Sequence, residues 1–389
     1  MQNLGIYIQV PFCQTKCTYC NFHTGVVSTA RFAPYIKTVC REICGYSQLY
    51  RGAGVTLPPS FHDMRVDTVY IGGGTPSLLD PEHLQEILDS IRTTFETDLS
   101  EVTLEADPET IEDRKAEVWV RAGVNRVSFG LQSFSDKELV AAGRMHRRAD
   151  IYRAVPVLRE RGIENISFDL IAGLPHQTRA SWQQSLHELM KLAPEHVSIY
   201  LLEVDEASRL GKELLQGGSR YSAASVPGDD DMAEFYEMAQ EALGGAGYHH
   251  YEISNWAKPG FESRHNLKYW RRHAYLGFGA GAHSFSGTER WANAHDAAAY
   301  VMALEGKRLP LEQHEALNRE RALEEELFLG LRELDGIDLQ RIEKQYGVTV
   351  TARFDPLAKS GLVERQGSRV RLAPARLSIS NEVFVELLR

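Results

Sequence analysis

The chain has 389 residues, 43% of them hydrophobic and 25% charged, an ordinary balance for a globular protein with room for more than one domain. Its 53 acidic side chains outnumber 43 basic ones, for a net charge of −10, which argues against a general nucleic-acid binder that needs a basic face. No apolar run reaches the roughly eighteen residues of a membrane span, and the opening MQNLGIYIQV lacks the marks of an export or transit signal, so a cytoplasmic location is expected.

The first expected element is a strand at 5–10, GIYIQV, followed at once by a loop holding Cys13, Cys17 and Cys20. A helical stretch at 31–50 carries Cys40 and Cys44 one turn apart, where small core residues are the plain reading. Further strands are expected at 66–71, 101–106, 125–130, 165–170 and 196–202, with helical patterns at 81–95, 109–121, 150–161 and 180–192 between them. Strands alternating with helices build a parallel sheet through right-handed crossovers, and these six units predict a partial (β/α)6 barrel. In barrels the loops after the strands form the active site. Residues 205–229 read as a surface excursion before a helix near 230–244.

Beyond about residue 250 the texture changes to the aromatic and polar YEISNWAKPGFESRHNLKYW and then the glycine-dense YLGFGAGAHSFSG. Three helical segments within 317–334, 338–347 and 352–361, then two short strands around a Gly-Ser turn, resemble a winged-helix module. Three units are therefore expected: 1–225, 226–310 and 311–389. The last carries a locally basic run, Arg353 to Arg376, best read as a solvated face on a lid or docking surface rather than a nucleic-acid site.

Three of the five cysteines fall in the spacing C-x3-C-x2-C. Thiolates are soft ligands for iron–sulfur clusters and for zinc. Three of them on a 4Fe-4S cube leave one iron open, whereas a zinc site would be completed by His23. The polar neighbours Gln14, Thr15, Lys16 and Thr18 argue against three buried core cysteines. The loop, with Tyr19 just before the third cysteine, resembles the signature of the radical S-adenosylmethionine (SAM) superfamily. The resemblance implies that Cys13, Cys17 and Cys20 hold a 4Fe-4S cluster whose open iron takes the amino and carboxylate groups of SAM.

After the second strand, IGGGTPSLLDP places Gly72, Gly73, Gly74 and Thr75, with Asp80 and Pro81 opening the next helix. The dinucleotide spacing G-x-G-x-x-G fails at Ser77 and no P-loop lysine follows. GGGTP is similar to the variant found in the coproporphyrinogen III dehydrogenase-like branch of the superfamily, at a position that holds the SAM amino group. The same resemblance implies SAM contacts from Tyr7, Tyr19, Gly73, Gly74, Thr75, Glu105, Gln132, Arg144 and Asp169.

That branch contains an oxygen-independent dehydrogenase and a group of heme chaperones. Phe22 stands where dehydrogenase loops carry a further cysteine, and the chain reaches Cys13 without the dehydrogenase's long N-terminal extension. HNLKYW at 265–270 is similar to the H-N-x-x-Y-W motif of the chaperones. The resemblance thus implies an α/β chaperone that binds heme, a 4Fe-4S cluster and SAM and delivers heme to acceptors such as respiratory enzymes. A porphyrinogen-acting radical SAM enzyme and a zinc-stabilised nucleic-acid binder are the alternatives, and whether the chain is an enzyme stays open. His265 is expected as an axial heme ligand, with Tyr269 and Trp270 as aromatic walls. The plainer reading, a satisfied polar His265 beside two core aromatics, stays open, as do His249, His250, His273 and His283 as rival ligands. Peripheral membrane contact and a homodimer are both compatible with the sequence.

Overall fold

The computed structural model describes residues 3–387, apart from the side chains of Ser60 and His62. The expected parallel strands are β1 (Asn3–Val10), β2 (Arg65–Gly73), β3 (Thr97–Ala106), β4 (Arg126–Gln132), β5 (Asn165–Ala172) and β6 (His196–Leu201), side by side in that order. Helices Phe32–Gly52, Pro81–Thr94, Asp113–Ala122, Arg148–Glu160 and Arg179–Leu192 join them. Asp80 caps the second helix and Pro81 opens it, as the sequence implied.

The sheet continues on both sides. Tyr275–Phe278 lies parallel beside β1, and His283–Phe285, Glu289–Asn293 and Leu311–Ala316 extend that edge antiparallel. Asn255–Ala257 and His249–Glu252 extend the other edge beyond β6, for twelve strands in all among the described residues. Segments from the expected middle unit therefore border the barrel on both sides, and Leu311–Ala316, the first residues of the expected C-terminal unit, form the edge strand beyond Glu289–Asn293.

Alternation along each strand separates two faces. Ile6, Ile8, Val69, Ile71, Leu104, Val127, Phe129 and Phe168 are fully buried among the helices. The opposite positions carry Tyr7, Gln9, Tyr70, Thr103, Glu105, Ser128, Asp169 and Ser198. A parallel sheet packed on both faces would be apolar on both. The inner face is polar instead and lines a lumen.

The helix Arg264–Trp270 closes that lumen beneath a row of residues in register, Gly5, Thr68 and Glu101. The Glu101 carboxylate accepts the N–H groups of Arg264 (2.8 Å) and His265 (3.0 Å), satisfying the helix start. Lys268 Nζ pairs with Asp67 Oδ1 at 2.7 Å in a largely buried contact. A Cβ on Gly5 would sit 3.0 Å from the Lys268 side chain, so a glycine there gives the helix room.

The C-terminal region folds as helices Arg319–Gly330, Leu339–Tyr346 and Thr351–Lys359 followed by the hairpin Val363–Gln366 and Arg369–Leu372. The short strand Ile337–Asp338 adds a third member to that small sheet, and a last helix, Ser380–Leu387, follows. Among the described residues no helix is long and apolar enough to cross a membrane.

Candidate cofactor site

The cysteine loop leaves β1 at the rim of the lumen and is pinned along its length. Phe12 stacks on Phe32 (4.7 Å between centroids), and Phe12–Cys13 pairs with Gly25–Val26 to close the loop on itself. Thr75 N–H donates to Phe12 O (2.7 Å) and Gly74 N–H to Val10 O (2.8 Å). A Cβ on Gly74 would overlap the Phe12 carbonyl, which makes this glycine a packing requirement. Thr18 N–H donates to Ala142 O (3.0 Å), and Asn21 donates to Asp205 (2.7 Å).

Cys13, Cys17 and Cys20 are free thiols, each partly exposed. Burial, with the charges of the neighbouring thiols added, lifts the Cys13 and Cys20 thiols above their ordinary range. Arg144 Nη1 donates to Cys17 Sγ at 3.4 Å. His23, which a zinc site would need, instead stacks on His295 at 3.9 Å. Among the described residues no three His, Cys, Asp or Glu side chains are placed to hold a single metal ion. A cube, which presents a different iron to each cysteine, needs no such convergence, so these thiols fit a cluster better than zinc.

Beneath the loop lies a cavity of about 560 Å3 lined by the three cysteines and by Tyr19, Gly74, Thr75, Glu105, Gln132, Arg144 and Asp169. Glu105 Oε1 accepts the Tyr70 hydroxyl (3.0 Å) and Oε2 accepts Gly73 N–H (2.9 Å). Burial, reinforced by the charge of Asp169, pushes the Glu105 carboxyl up to about 7 against the opposing pull of those hydrogen bonds. A Cβ on Gly72 would lie 2.9 Å from that carboxyl carbon, so the glycine run lets the carboxylate approach the β2 backbone. Arg144 pairs with Asp107 and donates to Gly130 O (2.7 Å), while its Nε has no hydrogen-bond partner among the described residues. Asp169 accepts from Ser128 Oγ (3.1 Å), and burial raises its carboxyl too. Gln132 follows a bulge in β4 and adopts a φ of 64°. Carboxylates from Glu105, Asp107, Glu109 and Asp169 make this an acidic pocket, suited to a cofactor bearing an ammonium and a sulfonium.

Two expected contacts fall elsewhere. Gly73 supports Glu105 through its N–H and does not line the cavity. Tyr7 donates to Gln9 (2.6 Å), stacks on Tyr70 (6.1 Å between centroids), and faces a second cavity of about 530 Å3 with Tyr269 and Trp270. Tyr70, Asp107 and Tyr200 line the first cavity without having been singled out, as do Arg332 and, from the C-terminal region, Asn381. Tyr70 and Tyr200 were within reach of parity, since each shares its strand's inner face with a polar residue.

The structure places His265 inside the floor helix with no exposed surface. Its Nδ1 lies 3.0 Å from Thr68 Oγ1 and its Nε2 2.8 Å from the Tyr269 hydroxyl, and burial pushes its pKa down to about 3. In this conformation neither nitrogen is free to reach an iron, which is the satisfied-histidine alternative the sequence left open. Among the rivals, His250 stacks on Trp256 at 3.9 Å and His249 and His273 are exposed away from both cavities. His283 lines the second cavity.

A parallel partial barrel with a three-cysteine loop over an acidic pocket defines a radical SAM protein, and the Radical SAM superfamily model matches residues 7–189, with the HemN C-terminal domain model matching 317–375. Over nearly its whole length the chain is 35% identical to the heme chaperone HemW of Bacillus subtilis (384 residues, 97% of each protein). It is 32% identical to the heme chaperone HemW of Mycobacterium tuberculosis over 394 residues, covering 100% of this chain and 95% of that one. The chain belongs to the HemW family. The solved structure of the radical SAM enzyme HemN, coproporphyrinogen III oxidase from Escherichia coli, shares the fold with a TM-score of 0.83 at 22% identity, over 99% of this chain and 90% of that one.

Proposed function

We propose that this protein is a heme chaperone that binds heme, a 4Fe-4S cluster and SAM and hands heme to acceptor proteins such as respiratory enzymes. The observation that carries this reading is the 35% identity to a heme chaperone across 97% of both chains. Cys13, Cys17 and Cys20 would hold the cluster, and Glu105, with Tyr19, Thr75, Gln132, Arg144 and Asp169 around it, would hold SAM. When bound, that pair supplies one-electron chemistry at a sulfonium. The chain's own residues set the conditions for it: Asp107 and Gly130 O fix the Arg144 guanidinium against Cys17, and Tyr70 and Gly73 fix the Glu105 carboxylate. Phe22, largely exposed at the cavity's edge, supports chaperone over dehydrogenase because it offers no thiol. The free cysteines fit a reducing compartment such as the cytoplasm.

The test is an anaerobic incubation of the cluster-loaded protein with SAM, a reductant and coproporphyrinogen III, beside a HemN-type enzyme, followed by heme transfer to an apo acceptor. Transfer without protoporphyrinogen formation is expected. Turnover to protoporphyrinogen would make the protein a dehydrogenase instead.

A further inference from the structure

The second cavity takes no part in the rim site and has its own chemistry. It lies between β1, the sheet edge at 275–293 and helix Arg319–Gly330. Tyr269, Tyr275, Phe285 and Phe328 give it aromatic walls, with Tyr275 edge-on to Tyr269 (85° between planes) and tilted 48° to Phe285. Arg272 and Arg290 share the lining carboxylate Glu325 (3.2 and 3.0 Å), and Arg272 also lies 3.7 Å from Glu326, which Arg341 holds at 2.7 Å, so three guanidiniums on two carboxylates leave one positive charge in excess. Both guanidiniums lie over the Phe285 ring, at 5.3 and 4.8 Å from its centroid. Arg272 is nine-tenths buried, and its Nη2 has no hydrogen-bond partner among the described residues. Buried donors of this kind are rarely left without an acceptor.

His283 stands at the mouth. Strand alternation turns His283 and Phe285 to the cavity, while Ser284 between them points away and receives Gly277 N–H at 2.8 Å. The His283 side chain is exposed, and among the described residues nothing hydrogen-bonds its ring nitrogens. His265, only a helix turn from Tyr269, has both of its nitrogens engaged.

Aromatic walls, a cationic side and a free imidazole match the parts of an iron porphyrin: an apolar macrocycle, two carboxylates and an open axial position. We propose that this cavity is the heme site, with His283 as axial ligand, Tyr269 and Phe285 against the ring and Arg272 and Arg290 receiving the propionates; the assignment rests on the heme-chaperone reading. The volume of 530 Å3 falls within the roughly 300–1,000 Å3 usual for cofactor pockets. The paired guanidiniums disfavour the cationic SAM here. A ligand on the exposed His283 would also leave toward an acceptor without crossing the lumen.

The test titrates the full, cluster-loaded chain with ferric heme, followed by Soret absorption and electron paramagnetic resonance. Wild type is compared with His283→Ala and with His283→Gly with and without free imidazole, and heme is compared with its dimethyl ester. The substitutions are on an exposed side chain, and circular dichroism checks the fold. The expected result is at least ~10-fold weaker binding and loss of the imidazole-ligated spectrum in both variants, restoration by imidazole in His283→Gly, and weaker binding of the ester by wild type. Wild-type spectrum and affinity in His283→Ala would overturn the site and leave the chaperone reading standing. Failure of wild type itself to bind heme would overturn both.

Discussion

At the rim, Glu105, Asp107, Glu109 and Asp169 surround a cavity of about 560 Å3 beneath three thiols, whereas at the sheet edge a cavity of about 530 Å3 sets Arg272 and Arg290 among aromatic rings. One sheet borders both, and size hardly separates them. What separates them is the sign of their charge and the share of aromatic lining. Inward side chains on β2 to β6 build the first, so its polar groups are fixed by strand register. The second draws its walls from β1, the edge strands and the C-terminal helix, elements far apart in sequence. If the rim takes SAM and the edge cavity heme, as proposed, the difference teaches that one sheet could keep a cationic cofactor and an anionic one from competing, since each pocket would electrostatically disfavour the other's ligand.

The comparison breaks most completely at the cysteines. Replacing Cys13, Cys17 or Cys20 by alanine is expected to abolish the cluster's visible absorption and its acid-labile sulfide while leaving ferric heme titration at wild-type affinity. Joint loss of both would show that the pockets are not separate. His265→Ala comes next: it opens a hole in the floor and strands Thr68 and Tyr269, for an expected loss of about 2–4 kcal/mol in urea unfolding. An unchanged unfolding midpoint would mean that the floor helix is not held as described.

Glu105→Gln sharpens the rim. With its carboxyl near 7, wild-type Glu105 becomes the carboxylate that attracts an ammonium as pH rises from 6 to 8, so SAM affinity should strengthen over that interval. Gln should weaken SAM binding at pH 8 by ~10-fold and remove the pH dependence, read by calorimetry. The linkage has an opposite sign in the empty protein. A carboxyl raised from 4.5 to about 7 binds more protons folded than unfolded, so its contribution to stability is present below 4.5 and lost as pH rises through 7. The smallest effect is expected from Glu101→Gln, which keeps one acceptor for the helix start but loses its charge, costing about 1 kcal/mol without changing either cofactor's binding.

The parallel strands were legible because each is a short β-branched or aromatic run ended by a turn, and the cysteine loop was legible because its spacing is local. Glu105 and Asp169 were singled out through the family resemblance instead, and the structure sets both on an inner face where a sheet packed on both sides would carry Val or Ile. Tyr275–Phe278 was not foreseen as a strand, since four residues inside a glycine-dense tract look like a corner and their partner is β1. His265 was expected at iron through its motif, with a satisfied polar histidine as the open alternative, and in the structure both of its ring nitrogens have partners. Its true partners, Thr68 and Glu101, are 197 and 164 residues away, a distance across which spacing carries no information. Ile337–Asp338 is too short to announce itself and exists through its pairing with Arg369 and Val370.

That first strand and that floor also set the order in which the molecule can assemble. β1 is hydrogen-bonded on one side to β2 and on the other to Tyr275–Phe278, and the helix that seals the lumen begins at Arg264. On a ribosome, β1 to β6 emerge and can pair while one flank of β1 still has bare amides and carbonyls, and they stay so until residue 278 has been made. A nascent or truncated chain ending before Arg264 would present an unpaired edge and an unsealed polar interior, a template for intermolecular strand addition. The oldest part of the growing polypeptide thus waits for one of the youngest before it can be finished.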